Sequence, residues 1–192
     1  MNRLRQYINQ ISPLTDSTWQ VVSPLFGPVT LGKNDHFALA GRVETSAAYV
    51  VEGVLRAYYR NADGQEYNKT FFVADDFMGA FSSLVTGQPN VINIQALTPC
   101  QLILADYAAL TALYDRYPDW ERFARRLAEL YFVYKEQREV DLVLLNADER
   151  YVRFREDYLG LEQLIPQYQI ASYLGITPTQ LSRIRATVFA RN

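Results

Sequence analysis

The chain has 192 residues, a formal net charge of −2 and a hydrophobic fraction of 49%, enough apolar material for packed cores and too much for a disordered polymer. Its single cysteine, Cys100, excludes an intrachain disulfide framework. No run approaches the roughly 18 apolar residues of a membrane span, and the start lacks the apolar core of a secretion signal, so a cytoplasmic protein with no membrane contact is expected.

Residues 2–20 read as helical, with Leu4, Tyr7, Ile8 and Ile11 on one stripe. Pro13 interrupts that stripe, and Asp16 or Ser17 is placed to cap a second short helix around Trp19. From Gly32 to about Leu104 the texture changes to short β-type runs broken by Gly, Asp and Asn. The runs are Phe37 to Leu39, Ala48 to Val51, Val54 to Tyr59, Tyr67 to Val73, Val91 to Leu97 and Gln101 to Leu104. Asp63-Gly64 between two of them predicts a tight hairpin, since both residue types accept positive φ. Many short strands at fairly even spacing predict an antiparallel barrel or roll.

The second half reads as helical. Asp106 to Tyr117 places Leu110, Leu113 and Tyr114 on one face, with Pro118 as a stop. A long helix is predicted from about Asp119 to Leu145. Trp120, Phe123, Leu127, Leu130 and Tyr134 alternate three and four apart, which is the seam of a coiled coil. Gln137 and Asp141 turn its continuation polar. Asn146-Ala147-Asp148-Glu149 then reads as a new helix start, acids being favoured at the positive end of the dipole. That helix carries Tyr151, Phe154 and Tyr158, with Arg150, Arg153 and Arg155 on its solvent side, and Gly160 is its expected end.

From Gln163 onward the chain holds no Asp or Glu but carries Arg183, Arg185 and Arg191. Ile170, Tyr173 and Leu174 form one helical face, and Gly175 supplies a left-handed terminus. Thr177-Pro178 reads as N-cap plus first helical residue, and Leu181, Ile184 and Val188 repeat the apolar spacing. Two short helices joined by a tight Gly-containing turn make a helix-turn-helix, whose second helix enters the DNA major groove. Off the apolar stripe lie Thr179, Gln180, Ser182, Arg183 and Arg185. Arg183 is the expected base reader, able to reach guanine O6 and N7 together, with Thr179 and Gln180 beside it. Thr177, Ser182 and Arg185 would hold phosphates, with Gln167 and Tyr168 doing so from the preceding helix. A hairpin that only packs, in a ligand-binding or protein-interaction β-roll module without DNA binding, is the alternative.

Gln169 to Thr177 and Leu181-Ser182-Arg183-Ile184 resemble the DNA-binding signature of the Crp/Fnr family of bacterial transcription regulators, its shorter subgroup above all. The β-rich block resembles the β-roll of cyclic-nucleotide-binding domains. There Gly53 stands where that fold has a strand-turn glycine, and Phe77-Met78-Gly79 where its phosphate-binding cassette opens. The resemblance implies an α+β fold: an N-terminal antiparallel β-roll (a double-stranded β-helix of jelly-roll type), a long dimerisation helix and a C-terminal helix-turn-helix or winged-helix module of three helices. The implied domains are 1–117 for the sensor, with the roll at about 26–105, then 118–145 for the long helix and 146–192 for the DNA-binding module. Implied partners are palindromic double-stranded DNA and a second copy joined through about 119–145, with RNA polymerase and a small-molecule effector as further candidates.

Cyclic-nucleotide binding in that family uses a Gly-Glu pair for the ribose and an Arg followed by Ser or Thr for the phosphate. Aligned on Gly79, the glutamate position falls on Ala80, the arginine on Asn90 and the Ser/Thr on Val91. A buried phosphate without a cation costs several kcal/mol, so cyclic AMP is not the expected effector. One cysteine also excludes the four-cysteine iron–sulfur cluster that some relatives use. His36 is the sole histidine, so no metal site or cofactor is expected. Asp75-Asp76 and Asp148-Glu149 read as turn and cap residues, and no nucleophile elbow or phosphate loop accompanies them. No enzyme activity is expected.

Overall fold

The computed structural model describes residues 1–189; Arg191 of the basic tail lies outside the described residues. Helix α1, Asn2–Ile11, buries Leu4 and Ile8 of the expected stripe, and α2 follows at Asp16–Val22. The cap of α2 is Thr15, not Asp16 or Ser17: its side chain accepts the Thr18 N–H, and Asp16 becomes the acid of the first turn. Thr15 holds the extended backbone that an N-cap requires, so the helix starts one residue before the expected frame.

Eight strands follow: β1 Gly27–Leu31, β2 His36–Ala38, β3 Ser46–Glu52, β4 Leu55–Arg60, β5 Glu66–Phe72, β6 Phe77–Met78, β7 Asn93–Ala96 and β8 Cys100–Asp106. They make two four-stranded sheets, ordered β1-β8-β3-β6 and β2-β7-β4-β5. The pairings β1–β8, β3–β8, β3–β6 and β2–β7 are all antiparallel. Alternation along each strand sorts side chains between two cores. Ala48, Val50, Leu55, Ala57, Ile94, Ala96 and Leu102 fill the roll. Tyr49, Phe77, Ile103 and Ala105 face the other way, onto Leu4, Ile8, Trp120 and Phe123.

Strands β1 and β6, and helix α3 at Phe81–Thr86, were not expected from the sequence. Two residues are too few to show a period, and the apolar spacing of Phe81, Leu84 and Val85 in α3 spans less than two turns. The hairpin of β4 and β5 also differs from the expected turn. Only Gly64 has positive φ there, Gly64 N–H donates to Asn61 O, and Asn61 N–H donates to Gln65 O. That is a three-residue loop, a type I turn followed by a left-handed glycine, so Asp63 stays in ordinary backbone space. Gly53, between β3 and β4, has φ +101 as a strand-turn glycine should.

Asp106 caps a short helix, α4 at Tyr107–Thr111, through the Ala109 N–H. Pro118 then opens the long helix α5, Pro118–Leu144, instead of closing the one before it. A proline at the first helical turn has no N–H to waste. The expected seam of α5 divides. Trp120 and Phe123 are fully buried in the core beneath α1, with Leu127 and Tyr131 packed against it. Leu130, Val133, Val140 and Leu144 are exposed, and with Gln137 they repeat at three- and four-residue steps. The exposed apolar stripe of α5 is therefore shifted from the seam expected; Asp141, on the continuation of the expected one, is buried beside Arg153 at 3.7 Å.

The chain falls into two compact units, Met1–Ala57 with Phe71–Tyr131, and Tyr58–Thr70 with Phe132 onward. The second holds the tip of the β4–β5 hairpin, the end of α5, α6 at Ala147–Asp157, α7 at Gln167–Leu174 and α8 at Pro178–Phe189. Asn146 and Glu149 form a reciprocal capping box at the start of α6. Helix α6 ends at Asp157, and Gly160, φ +76, leads into a 3-10 turn at Leu161–Gln163. No wing strands occur among the described residues.

Candidate nucleic-acid interface

Helix α7 buries Ile170, Ala171, Tyr173 and Leu174, and α8 buries Leu181 and Ile184. Phe154 of α6 and Tyr158 at its C-cap meet the Tyr173 ring tilted at 5.7 Å and edge-on at 5.8 Å, closing a small aromatic core under the motif. Gly175, φ +69, ends α7, and its N–H bonds back to Ala171 O and Ser172 O. The chain needs a left-handed residue at this turn, which glycine adopts without strain.

The first turn of α8 is closed by a reciprocal cap. Thr177 Oγ1 accepts the Gln180 N–H at 3.2 Å, while Gln180 Oε1 accepts the Thr177 N–H at 2.9 Å and its hydroxyl at 3.1 Å. Two residues expected to face DNA thus hold the helix end, and the cap uses the Gln180 amide oxygen and not its nitrogen. Thr179, Gln180, Ser182 and Arg183 are all exposed along one side of α8. Tyr168 is exposed and Gln167 half-buried at the start of α7. Arg185 is different: its guanidinium is half-buried, 3.5 Å from Glu162. Glu162 also accepts the Tyr151 hydroxyl at 2.8 Å and lies 3.9 Å from Arg155. This ion pair directs Arg185 into the module.

Local pattern gave no sign of the groups that fix α7. The carbonyls at a helix end lack partners within the helix. Arg138 of α5 donates to Tyr173 O and lies 3.9 Å over the Tyr173 ring, and Arg150 of α6 donates to Leu174 O at 3.2 Å and Leu145 O at 2.6 Å. Two cations at a helix C-terminus also oppose its negative dipole end. Of the arginines expected on the solvent side, Arg153 is exposed and lies 3.7 Å from Asp141, whereas Arg150 is half-buried because the orphan carbonyls engage it.

Residues 28–117 match the cyclic nucleotide-binding domain family. Solved structures share the fold across nearly the whole chain. FixK2 from Bradyrhizobium japonicum has a TM-score of 0.75 at 16% identity over 86% of this chain and 85% of its own. A protein from Eubacterium rectale assigned to the crp/fnr family of transcriptional regulators has a TM-score of 0.73 at 15% identity over 100% and 89%. The c-di-GMP-responsive regulator CLP of Xanthomonas campestris has a TM-score of 0.69 at 16% identity over 92% and 93%. The chain has the Crp/Fnr fold. Comparison with the curated proteins gives no match.

Within this Crp/Fnr fold, the positions of the family's cyclic-nucleotide chemistry carry no charged side chain: Gly79, Ala80, Asn90 and Val91 stand there. Gly79 leads from β6 into α3, and a Cβ there would meet Leu84 Cδ1 at 2.9 Å. Ala80 is buried in the roll core, while Val91 is 67% exposed. Asn90 is buried and spends its side chain on backbone: Oδ1 accepts the Ile92 N–H at 2.9 Å and Nδ2 donates to Ile92 O. Its own backbone exchanges bonds with Arg42 O and Gly41 N–H, both at 2.7 Å. A cleft of about 230 Å³ lies at the β2–β3 connection, lined in part by His36, Leu39, Arg42 and Glu44. Among the described residues no cluster of His, Cys, Asp or Glu has metal-binding geometry, and no helix is long and apolar enough to cross a membrane.

Proposed function

We propose that this protein is a homodimeric transcription regulator that reads double-stranded DNA with α8. The observation that carries the reading is the open side of α8. It presents Thr179, Gln180, Ser182 and Arg183 together in a segment without a single carboxylate from Gln163 onward. Phosphates repel acids and attract arginine, and short polar side chains at a helix start are the ones that reach base edges. Arg183 is the base reader, with Thr179 and the Gln180 amide beside it. Ser182, Tyr168 and Gln167 take phosphates, Thr177 caps the reading helix, and Arg185 positions it through Glu162.

A twofold pair of such modules reads half-sites about one helical turn apart. The second copy docks along the exposed seam of α5, where Val133, Val140 and Leu144 require cover. The cyclic-nucleotide chemistry is absent at Ala80, Asn90 and Val91, so cyclic AMP is not the effector.

Selection of bound sites from random duplexes tests the reading. A palindromic consensus is expected, with affinity falling steeply as salt rises. Arg183→Ala should cost about 1–3 kcal/mol and relax preference at one base pair. A chain that selects no duplex at any salt is a binding module of another kind, and the proposal fails.

A further inference from the structure

We propose, on the reading that α8 binds DNA, that Asn68 and Ser172 are positioning residues for it, and that this hairpin clasp pre-sets the reading helices without a small-molecule effector. Strand β5 lies at the edge of its sheet, so the outward N–H and C=O groups of its tip have no strand to pair with. Helix α7 supplies the partner. Ser172 Oγ accepts the Asn68 N–H at 3.0 Å and donates to Glu66 O at 3.1 Å, occupying the donor–acceptor pair that a neighbouring strand would use. One residue's side chain then locks the register. Asn68 Nδ2 donates to Gln169 O at 2.9 Å and to Gln169 Oε1 at 2.7 Å, with Asn68 only 6% and Gln169 only 2% exposed. Thr70 and Tyr158 join hydroxyls at 3.0 Å and tie the C-cap of α6 to the same strand.

Buried amides matched in this way admit one arrangement, because a slip along β5 would strip several directional bonds at once. Helix α7 is therefore fixed, and α8 with it through the tight turn at Gly175. The clasp touches Gln169 and Ser172 but none of the exposed reading residues of α8. It orders the module without covering it. Ordering before association removes a cost that binding would otherwise bear. In the roll, Ala80 and Asn90 stand where the family has its glutamate and arginine and offer no charge to a nucleotide, so the ordering comes from the chain itself.

The test uses the full chain and the duplex selected above. Without added nucleotide the wild type should bind it, and millimolar cyclic AMP or cyclic GMP should leave the affinity unchanged. Asn68→Ala, Asn68→Asp and Ser172→Ala should each weaken binding by roughly 5- to 50-fold, the usual span of a coupling between distant sites. Base preference and the salt slope should stay as in the wild type, since no DNA contact is removed; a general loss of fold would move both. Asn68→Ala combined with Gln169→Ala should lose less than the sum of the two single losses, whereas Asn68→Ala and Arg183→Ala should add. Ser172→Ala removes one hydroxyl and serves as the measure if the Asn68 variants do not fold. Wild-type affinity in Ser172→Ala and the folded Asn68 variants, or a wild type that binds only with nucleotide, overturns the inference while leaving DNA reading intact. Failure of the wild type to bind any duplex instead removes the functional reading and this inference with it.

Discussion

Replacing Gly53 by alanine puts a methyl group where the structure has no room for one. The new Cβ would lie 2.5 Å from Pro99 O, 2.6 Å from Cys100 Sγ and 2.8 Å from Cys100 Cα. Two of those atoms are backbone at the start of β8, so they cannot swing aside as a side-chain end would. Forcing a methyl into packed surroundings costs about 1–3 kcal/mol. Holding a residue with a Cβ at φ +101 adds about 1–2 kcal/mol. Together they predict a loss of about 2–5 kcal/mol. Gly64→Ala isolates the backbone part, because Gly64 has φ +80 and nothing within 4 Å of its would-be Cβ. It should lose only about 1–2 kcal/mol. Urea unfolding followed by tryptophan fluorescence reports both, Trp120 being 2% exposed in the core. Equal losses for the two variants would mean that β8 yields to the methyl, and the argument from close approach would be wrong.

Four further outcomes are expected. Phe123→Ala removes a ring packed at 5.2 Å from Trp120 and 5.8 Å from Phe77, and should cost about 3–5 kcal/mol in the same urea assay; less than about 1 kcal/mol would show that α5 does not depend on this core. Asn146→Ala breaks the capping box of α6 and should cost about 1 kcal/mol, read as a lower melting temperature, with no loss meaning that Glu149 alone suffices. Burial, with the charge of Asp75 adding to it, pushes the Asp76 carboxyl up to about 6, so the native state holds that proton more tightly than the unfolded chain. Its contribution to stability therefore falls as pH rises from about 4 to 6, and Asp76→Asn, which keeps an acceptor for the Val73 N–H, should gain about 2 kcal/mol over wild type at pH 7.5 but little at pH 4; a loss at pH 7.5 refutes it. Val133→Glu with Val140→Glu charges the exposed seam of α5 and should yield a monomer in sedimentation, an unchanged mass distribution placing the contact elsewhere.

The parts of the fold that follow from local chemistry were legible. Gly175, Thr177 and Pro178 announce the turn of the reading motif, because backbone sterics and capping act within a few residues. Asn146 and Glu149 announce α6 for the same reason. Spacing alone could not say which side of α5 faces its own chain. Trp120 and Phe123 belong to one core with Leu4 and Ile8, more than a hundred positions away, and only the folded roll reveals that the open seam begins at Leu130. Arg185 illustrates the limit at the interface. Its position on α8 suits a phosphate contact, yet Glu162 was a carboxylate close enough in space to claim it. The clasp around Gln169 had no sequence signal, since Asn68 is separated from it by 101 residues.

The single hydroxyl of Ser172 also bears on how the chain behaves when crowded. An uncovered β-margin is a template on which a stranger's polypeptide can zip, the first step toward fibrils. Here the vulnerable rung is stoppered by a side chain from a helix, which cannot propagate a ladder. A chain that loses that hydroxyl should be more inclined to self-associate through its hairpin.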